Sequence, residues 1–490
     1  MKTSKHPKNK ALEKFSRSPQ GMIASYLLLI FIAMGIYAPF LCSSKSLVIV
    51  WDQQYYFPLF RYLLSHTFFS SKLDLFFNAL AISLPLFFLP LPKKKWLFLL
   101  AQTSLFLFAC YQKSDPASDG QLNKKRNKAL VENIEKGVMG LDWQSELGFL
   151  NDYAKLNLLS NEIRKKKQAL AIEETAKEYP RDKGQIWPSL WHKERQREDE
   201  QIQTLRQNAE KQSAKDAENS LFKIRYLEDR RAWLAEEEKK ISFQVNTPLS
   251  HFHWEDDAGG SQDLNPYLKW HQRTRINRKD LLSALIFGIR ISLFVGFSSV
   301  FLALCIAIPI GSICGFYGAW LDILLFRLLE IWESMPTLFV LLLLVSILQS
   351  KSIFLIISVL GLFGWTGFCR FIRAETLRQR NLPYVNACKA MGFDDRFIIF
   401  SHVLPNALPP LWTLLPFSLM SAISSEAGLS FLGLGPEGSC SWGSLMDEGR
   451  SAFPAESYLL WPPGILLTSL LVLIAILGDA LRDAFDPKST

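Results

Sequence analysis

The sequence predicts an all-α membrane protein: a bundle of spanning helices that carries a charged, helical, extramembrane insert. Two observations lead there. Apolar residues are gathered into long uncharged runs, among them 291–315, 353–369 and 460–477. Residues 113–250 hold 26 Lys/Arg and 24 Asp/Glu, about half of all the charged side chains. A helix needs about 20 apolar residues to cross a hydrocarbon core. Runs of that length recur too often here for the buried helices of a soluble enzyme.

Eight spans are expected, at about 22–42, 75–92, 96–112, 285–315, 321–349, 353–376, 405–428 and 460–482. The second is weakened by Pro85, Pro90 and Pro92. Residues 1–42 have the outline of a signal peptide. However, the run from Gly21 to Cys42 is too long for one and no small-residue cleavage site follows, so an uncleaved first span is expected.

Lys2, Lys5, Lys8, Lys10, Lys14 and Arg17 should hold the N-terminus in the cytoplasm. Counting spans from there puts Lys93, Lys94 and Lys95 inside and 113–284 outside. Loop 377–404 then falls inside, 429–459 outside and the C-terminus inside. Loop 377–404 carries Arg378, Arg380, Lys389 and Arg396, just after Arg370 and Arg373. Span count and charge bias therefore agree, and the parity survives if 75–112 does not cross. Four segments result: 1–45, the N-terminus and first span; 46–112, an outer loop and paired spans; 113–280, the charged insert; and 281–490, a core of five spans.

The net charge of +9 fits this positive-inside bias, and no basic stripe with interleaved aromatics suggests nucleic acid. The seven cysteines form no CxxC or Cys/His pattern and are expected to pack. No GxxxxGK[ST] phosphate loop occurs, and neither a catalytic group nor a cofactor is expected.

Within the insert, Pro180, Gly184 and Pro188 divide two long solvated helices expected near 121–178 and 190–240. Leu150, Leu156, Leu159, Ile163, Leu205 and Leu221 supply one seam between them but too little for a globular core. An independent hairpin, dispensable for assembly of the spans, is the expectation. It is either a platform for a partner or an insertion without a role.

Several residues have two readings. Glu330, Glu333, Glu426 and Asp479 are intramembrane acids, hence functional candidates. Each sits near an expected membrane edge, where water or a pair with Arg327 or Arg482 would account for it. Pro405, Pro409, Pro410 and Pro416 mark either a broken helix lining a path or kinks that fit a bundle. His251, His253 and His271 with Glu255 and Asp257 match no metal-ligand spacing and read as a polar loop. Gly433 and Gly435 should make a tight turn at the outer face.

The informative segment is YVNACKAMGFDDRFIIFSHVLPNALPP, residues 384–410. Pro383 suits a helix's first turn, and Val385–Met391 can form a short helix with small Ala387 and Ala390. Gly392 permits a sharp turn, and Asp394 and Asp395 suit the start of a second helix that runs to Leu404-Pro405. The result is a compact helix–turn–helix knob held at both ends by spans, a shape able to pass a push from a soluble partner into the bundle.

This segment resembles the EAA loop of ABC-importer permeases, whose form is EAAxxxG, about nine residues, then IxLP. Here it reads Asn386-Ala387-Cys388-Lys389-Ala390-Met391-Gly392, then His402-Val403-Leu404-Pro405, with Asn386 for the usual Glu and Cys388 for the second Ala. SFLGLGPEG at 430–438 with Ser441-Trp442-Gly443, GIRISLFVG at 288–296 and GDALRDAFDP at 478–487 resemble the C-type permeases of dipeptide and oligopeptide importers. EIWESMPTL at 330–338, RAETLRQRNLPYV at 373–385 and SLVIVWDQQYYFPLF at 46–60 look closest to the oligopeptide and microcin C branch. The likeness covers about 280–490 well and 1–65 loosely, and leaves 66–250 uncovered. The usual LGTDxxGRD entry is reduced to Arg278 and Asp280.

The resemblance implies half of a translocation path in a bacterial inner membrane. Its partners would be a second permease subunit, two ABC ATPases, an extracytoplasmic peptide-binding protein and membrane lipid. The loop at 384–405 would dock to an ATPase, and the chain itself would do no chemistry. A nickel importer shares the SFLGLG-type signature and is the alternative cargo. A membrane scaffold built on the charged helices is the alternative class, although a scaffold needs no such knob.

Overall fold

The computed structural model describes the chain apart from residues 1–13, 70, 91–93, 113–114, 136–139, 179–189, 212–213, 250, 255–279, 437–438, 455–456 and 486–490. Lys2, Lys5, Lys8, Lys10, Pro92, Lys93, Pro180, Gly184, Pro188, Glu255, Asp257, His271 and Arg278 lie outside the described residues. The chain divides into two compact units, Met1–Gly35 with Phe287–Thr490, and Ile36–Ile286.

The first unit is the helical bundle. Among the described residues, five helices are long and apolar enough to cross a membrane: Pro19–Ile36, Leu281–Tyr317, Ile353–Arg380, Leu415–Leu434 and Ser457–Phe485. The expected straight span at 321–349 is instead two helices, Ala319–Glu333 and Thr337–Leu348, bent by 69°. Pro336 is the cause: it has no N–H to continue the first helix, and it caps the second with extended backbone (φ −67°, ψ 121°). The Leu281–Tyr317 helix has 37 residues, about 55 Å at 1.5 Å each, well beyond the thickness of a bilayer core.

Two close approaches organise the bundle. Gly311 and Gly315 bring Leu281–Tyr317 against Ile353–Arg380. A Cβ at either would lie 2.8 Å from the Cys369 carbonyl oxygen or 2.6 Å from that of Arg373. Only small residues allow this contact, which suits helices in lipid, where packing replaces the hydrophobic drive. Ala303, Ala307, Leu325, Leu329, Trp365, Phe368 and Ile372 fill the seam. The Arg373 guanidinium pairs with Asp322 and lies 4.4 Å from the Phe326 ring centroid. Elsewhere, the fully buried Arg290 donates from Nε to the Gly35 carbonyl at 2.7 Å and fastens the Pro19–Ile36 helix.

The intramembrane acids divide. Glu330 pairs with Arg327 at 2.8 Å and Glu333 with Arg370 at 2.7 Å, while Asp479 is exposed. Glu426 departs from the expectation of an edge position: it is fully buried and accepts from Ser430 Oγ at 2.7 Å.

The second unit contains a sheet that the sequence did not suggest. Strands β1 (Val48–Trp51), β2 (Gln54–Tyr56) and β3 (Ile241–Val245) pair antiparallel in the order β2-β1-β3. Asp52 and Gln53, both at positive φ, turn the β1–β2 hairpin. Register Val48↔Val245 ties the start of the unit to the far end of the charged segment.

The two long solvated helices expected near 121–178 and 190–240 are instead Gly120–Glu135, Trp143–Gly148, Asp152–Glu178, Leu190–Lys211 and Ala214–Lys239. They also have a core, contrary to expectation. Leu156, Leu159 and Leu234 pack on Ile49 and Trp51 of β1, with Trp233, Tyr56 and Ile241 around them. Trp51 Nε1 donates to Glu237 at 2.8 Å, and the Trp143 ring meets Tyr226 and Trp233 edge-on. The apolar residues counted within the insert were too few because their partners Ile49, Trp51 and Tyr56 lie outside it. The composition boundary at 112/113 falls inside this one unit.

Several of the charges pair with one another: Arg195 with Glu162 at 2.7 Å, Arg231 with Glu198 at 2.7 Å and Asp199 at 2.6 Å, and Arg126 with Glu146 at 2.6 Å.

The expected paired spans appear as helices Lys72–Phe88 and Lys94–Tyr111. They form an antiparallel hairpin with Phe76 against Phe106, Phe87 against Phe98 and a Ser83–Gln102 hydrogen bond of 2.8 Å. Neither is among the helices long and apolar enough to cross a membrane.

Leu156→Ala should destabilise the Ile36–Ile286 unit by about 2–5 kcal/mol, the cost of a cavity in a packed core. Limited proteolysis of the full chain in detergent should then cut this unit at lower protease concentration, with the bundle unaffected.

The buried His251 imidazole has its pKa pushed from 6.5 down to about 3 by burial, with the Arg164 charge acting in the same direction. The folded unit thus keeps His251 neutral while the unfolded chain binds a proton below about 6.5. Its stability should fall as pH drops from 6.5 toward 3, and His251→Gln should flatten that slope in the same proteolysis assay.

Candidate functional site: the helix–turn–helix knob

The knob at 383–407 forms as its residues dictate. Leu382 is extended and Pro383 opens the Pro383–Ala390 helix, where its missing N–H is no loss. The helix closes on Gly392 at φ +81°. Phe393 N donates to Cys388 O at 3.2 Å and Gly392 N to Lys389 O at 3.0 Å, the paired bonds of a glycine-terminated helix end.

Asp394 then occupies the N-cap position with extended backbone (φ −63°, ψ 141°), but its carboxylate makes no capping bond. The second helix runs through Asp395–Phe397, a π turn at Ile398–Val403 and Leu404–Ala407. The π turn falls just ahead of Pro405, whose ring cannot donate the bond that the preceding turn requires.

One face of the knob is its core. Val385 and Cys388 of the first helix meet Ile398, Ile399 and Val403 of the second around Phe316, the penultimate residue of Leu281–Tyr317. Tyr384 OH donates to Gln379 at 2.9 Å, and Lys389 Nζ stands 4.9 Å from the Phe316 ring centroid. The knob is thus seated on the ends of two bundle helices.

The other face is bare. Asn386, Ala387, Ala390 and Asp394 are exposed, and beside them stand Met391 (66% exposed), Phe393, Phe397 and Phe400 (61%). Phe393 stacks on Phe397 with centroids 5.3 Å apart, and His402 meets Phe397 edge-on at 5.4 Å. Pro405 is exposed and Leu404 half-buried.

The motif singled out Asn386, Ala387, Ala390, Gly392, Asp394, His402, Leu404 and Pro405, and all lie on this one body. It missed the apolar crown of Met391, Phe393, Phe397 and Phe400, and also Phe316. The crown was signalled by aromatics three and four residues apart; Phe316 lies too far along the chain for any spacing rule. Cys388 turns inward, where a small apolar group serves as well as alanine.

Gly433, at φ +78°, ends the helix that follows, and its carbonyl accepts from Lys351 Nζ at 2.8 Å. Gly435 is extended, so the left-handed turn belongs to Gly433 alone. His251 and His253 are buried, and no group of metal-ligating side chains occurs among the described residues.

A bundle of apolar helices bearing such a knob defines a membrane permease component. Residues 307–490 match the family of the binding-protein-dependent transport system inner membrane component. The chain is similar to the oligopeptide permease OppC of Haemophilus influenzae, 35% identical over 48% of this chain and 77% of that one. It is also similar to two YejE proteins, at 38% identity each. One is the peptidoglycan transport system permease of Agrobacterium fabrum, matched over 43% of this chain and 55% of that one. The other is the inner membrane ABC transporter permease of Escherichia coli, over 44% and 63%. The chain thus spans less than two thirds of either YejE. A solved methionine ABC transporter, MetNI in an inward-facing conformation, covers 42% of this chain at 20% identity and a TM-score of 0.35. The chain belongs to this family of transport-system permeases, which are membrane components rather than enzymes.

Gly392→Ala should strain the knob, because a Cβ at positive φ costs about 1–2 kcal/mol although the space beside it is open. A cysteine-reactive probe at Cys388, buried in the parent, should label faster in this variant.

Proposed function

We propose that the chain is a transmembrane subunit of a binding-protein-dependent ABC importer for peptides, and that the knob at 383–407 docks into an ATPase. The observation that carries this is the crown of exposed apolar residues on a knob whose opposite face is locked to the bundle. Met391, Phe393, Phe397 and Phe400 are all exposed and Phe393 stacks on Phe397, apolar surface that a solitary soluble loop has no reason to expose. The small exposed Ala387 and Ala390 leave room for a partner to approach closely. Peptide cargo is supported by the likeness to an oligopeptide permease. On this reading a second permease completes the path, two ATPases drive it and an extracytoplasmic binding protein delivers the peptide.

The arrangement in a bacterial inner membrane follows from charge. Arg370, Arg373, Arg378, Arg380, Lys389 and Arg396 lie in or beside the knob's stretch of sequence, and this positive charge supports a cytoplasmic position for it. With the bent pair 319–348 counted as one crossing, both termini are cytoplasmic and Ile36–Ile286 is extracytoplasmic.

In reconstituted importer, Phe397→Asp and Gly392→Trp should each abolish stimulation of ATP hydrolysis by loaded binding protein, with membrane insertion intact. Undiminished stimulation overturns the docking assignment. For topology, a reporter active only outside the cytoplasm should work when fused after Glu200 or Lys351 and fail after Lys389. Failure after Lys351 would make 319–348 a re-entrant hairpin instead of a crossing.

A further inference from the structure

The hairpin of Lys72–Phe88 and Lys94–Tyr111 is built inside out. Its polar side chains are the ones turned inward. Ser83 and Gln102 are buried between the helices, where Ser83 Oγ donates to Gln102 Oε1 at 2.8 Å and Gln102 Nε2 donates to the Phe76 carbonyl at 3.2 Å. Asn78 is fully buried and donates to the Leu63 carbonyl at 2.9 Å.

The outer surface is apolar on both helices. Ile82, Phe87 and Phe88 are exposed on the first. On the second, Trp96 (75% exposed), Leu99, Leu100 (68%), Leu107 and Phe108 are exposed. With Thr103 and Ser104 between them, these positions recur every three and four residues and make one stripe along the helix. A hairpin made for water does the reverse, polar side chains out and apolar ones in.

Even the two hydroxyls on the stripe are satisfied without water. Thr103 Oγ1 donates to the Leu99 carbonyl at 2.9 Å and Ser104 Oγ to the Ala101 carbonyl at 3.1 Å. That is the arrangement lipid demands, since hydrocarbon offers polar groups no partner.

Charge is distributed to match. Residues 75–92 and 96–112 contain no charged side chain. Lys72 opens the first helix at the base, and Lys94 and Lys95 open the second at the turn, all three exposed. Cations at the two ends of an uncharged stripe complement the anionic headgroups on the two sides of a bilayer. Trp96 and Tyr111, about 22 Å apart along their helix, bracket the stripe as aromatic residues do at the two interfaces.

Each helix alone falls short of an ordinary span. At 17 and 18 residues they are about 26 Å long, the lower limit for a crossing, and the lysine stems extend that reach. A turn that carries Lys94 and Lys95 is costly to leave in hydrocarbon, so a hairpin of this length ends in the far headgroups. We infer that this hairpin crosses the bilayer as a pair, with acyl chains against its apolar stripe and its lysine turn on the side opposite the charged helices. The rest of the Ile36–Ile286 unit keeps its side, because a hairpin returns to the side it left.

The test labels single cysteines in the full chain with a membrane-impermeant maleimide, in spheroplasts and in inverted vesicles, each site being read by mass spectrometry. Lys94→Cys and Glu200→Cys, both at exposed positions, should label from opposite faces, and Leu100→Cys from neither; any other pattern overturns the inference. A photoactivated carbene dissolved in the bilayer should attach within 96–108 as it does within Pro19–Ile36. Its absence from 96–108 would mean that another protein covers the stripe, and this also overturns the inference. The outcome is separate from the topology proposed above. Glu200→Cys labelled only in inverted vesicles would overturn the outer placement of the charged helices, and the hairpin would still stand or fall by whether Lys94→Cys labels from the other face.

Discussion

The close approach of Leu281–Tyr317 to Ile353–Arg380 is the constraint on which the bundle turns. At Gly315 the backbones meet so tightly that a methyl group would sit 2.6 Å from the Arg373 carbonyl. One residue further on, Phe316 leaves the seam and becomes the centre of the knob's core. Gly315 and Phe316 thus do opposite jobs side by side: one removes bulk so that two helices lock, the other adds bulk so that the knob has something to fold around. The Asp322–Arg373 pair braces the same corner from the helix before the bend. A knob built this way has little freedom to move by itself, and a displacement imposed on it goes into two long helices together.

Much of this was legible in the sequence because it is local. Span length follows from runs of apolar residues. The knob follows from Pro383, Gly392 and Asp394, whose backbone preferences act within a few residues. The reading failed where the deciding contact is distant. Pro336 was visible, yet its 69° bend was not assigned, because a proline in an apolar run reads equally as a kink. Glu426 was placed at an edge from its position in the chain, whereas its burial is set by how its helix packs. Phe316 gave no signal, being separated from Val385 by three helices and their turns.

The Ile36–Ile286 unit makes the same point from the other side. Its helices carry many charges, and composition alone reads them as solvated. In the fold, the charged faces pair with one another while a narrow apolar face rests on Ile49 and Trp51. Five core residues from three stretches of chain are enough because the sheet supplies a flat, already paired surface to cover. A composition shift therefore marked where the solvent-facing surface begins and did not mark a boundary of folding.

That sheet also sets an order of events during synthesis. Strand β1 leaves the ribosome early, but Ser46 meets its hydrogen-bonded partner Asn246 only 200 residues later. Until then its outer edge, together with Ile49 and Trp51, stands unpaired, the kind of surface that invites contact with another chain. The β2 hairpin guards one edge at once, since only Asp52 and Gln53 separate it from β1. The other edge waits through the whole run of charged helices, whose like-signed clusters, such as Arg164 to Lys167, keep neighbouring nascent chains apart. The high charge that obscured the domain in the sequence thus also suits a chain that must remain soluble while half made.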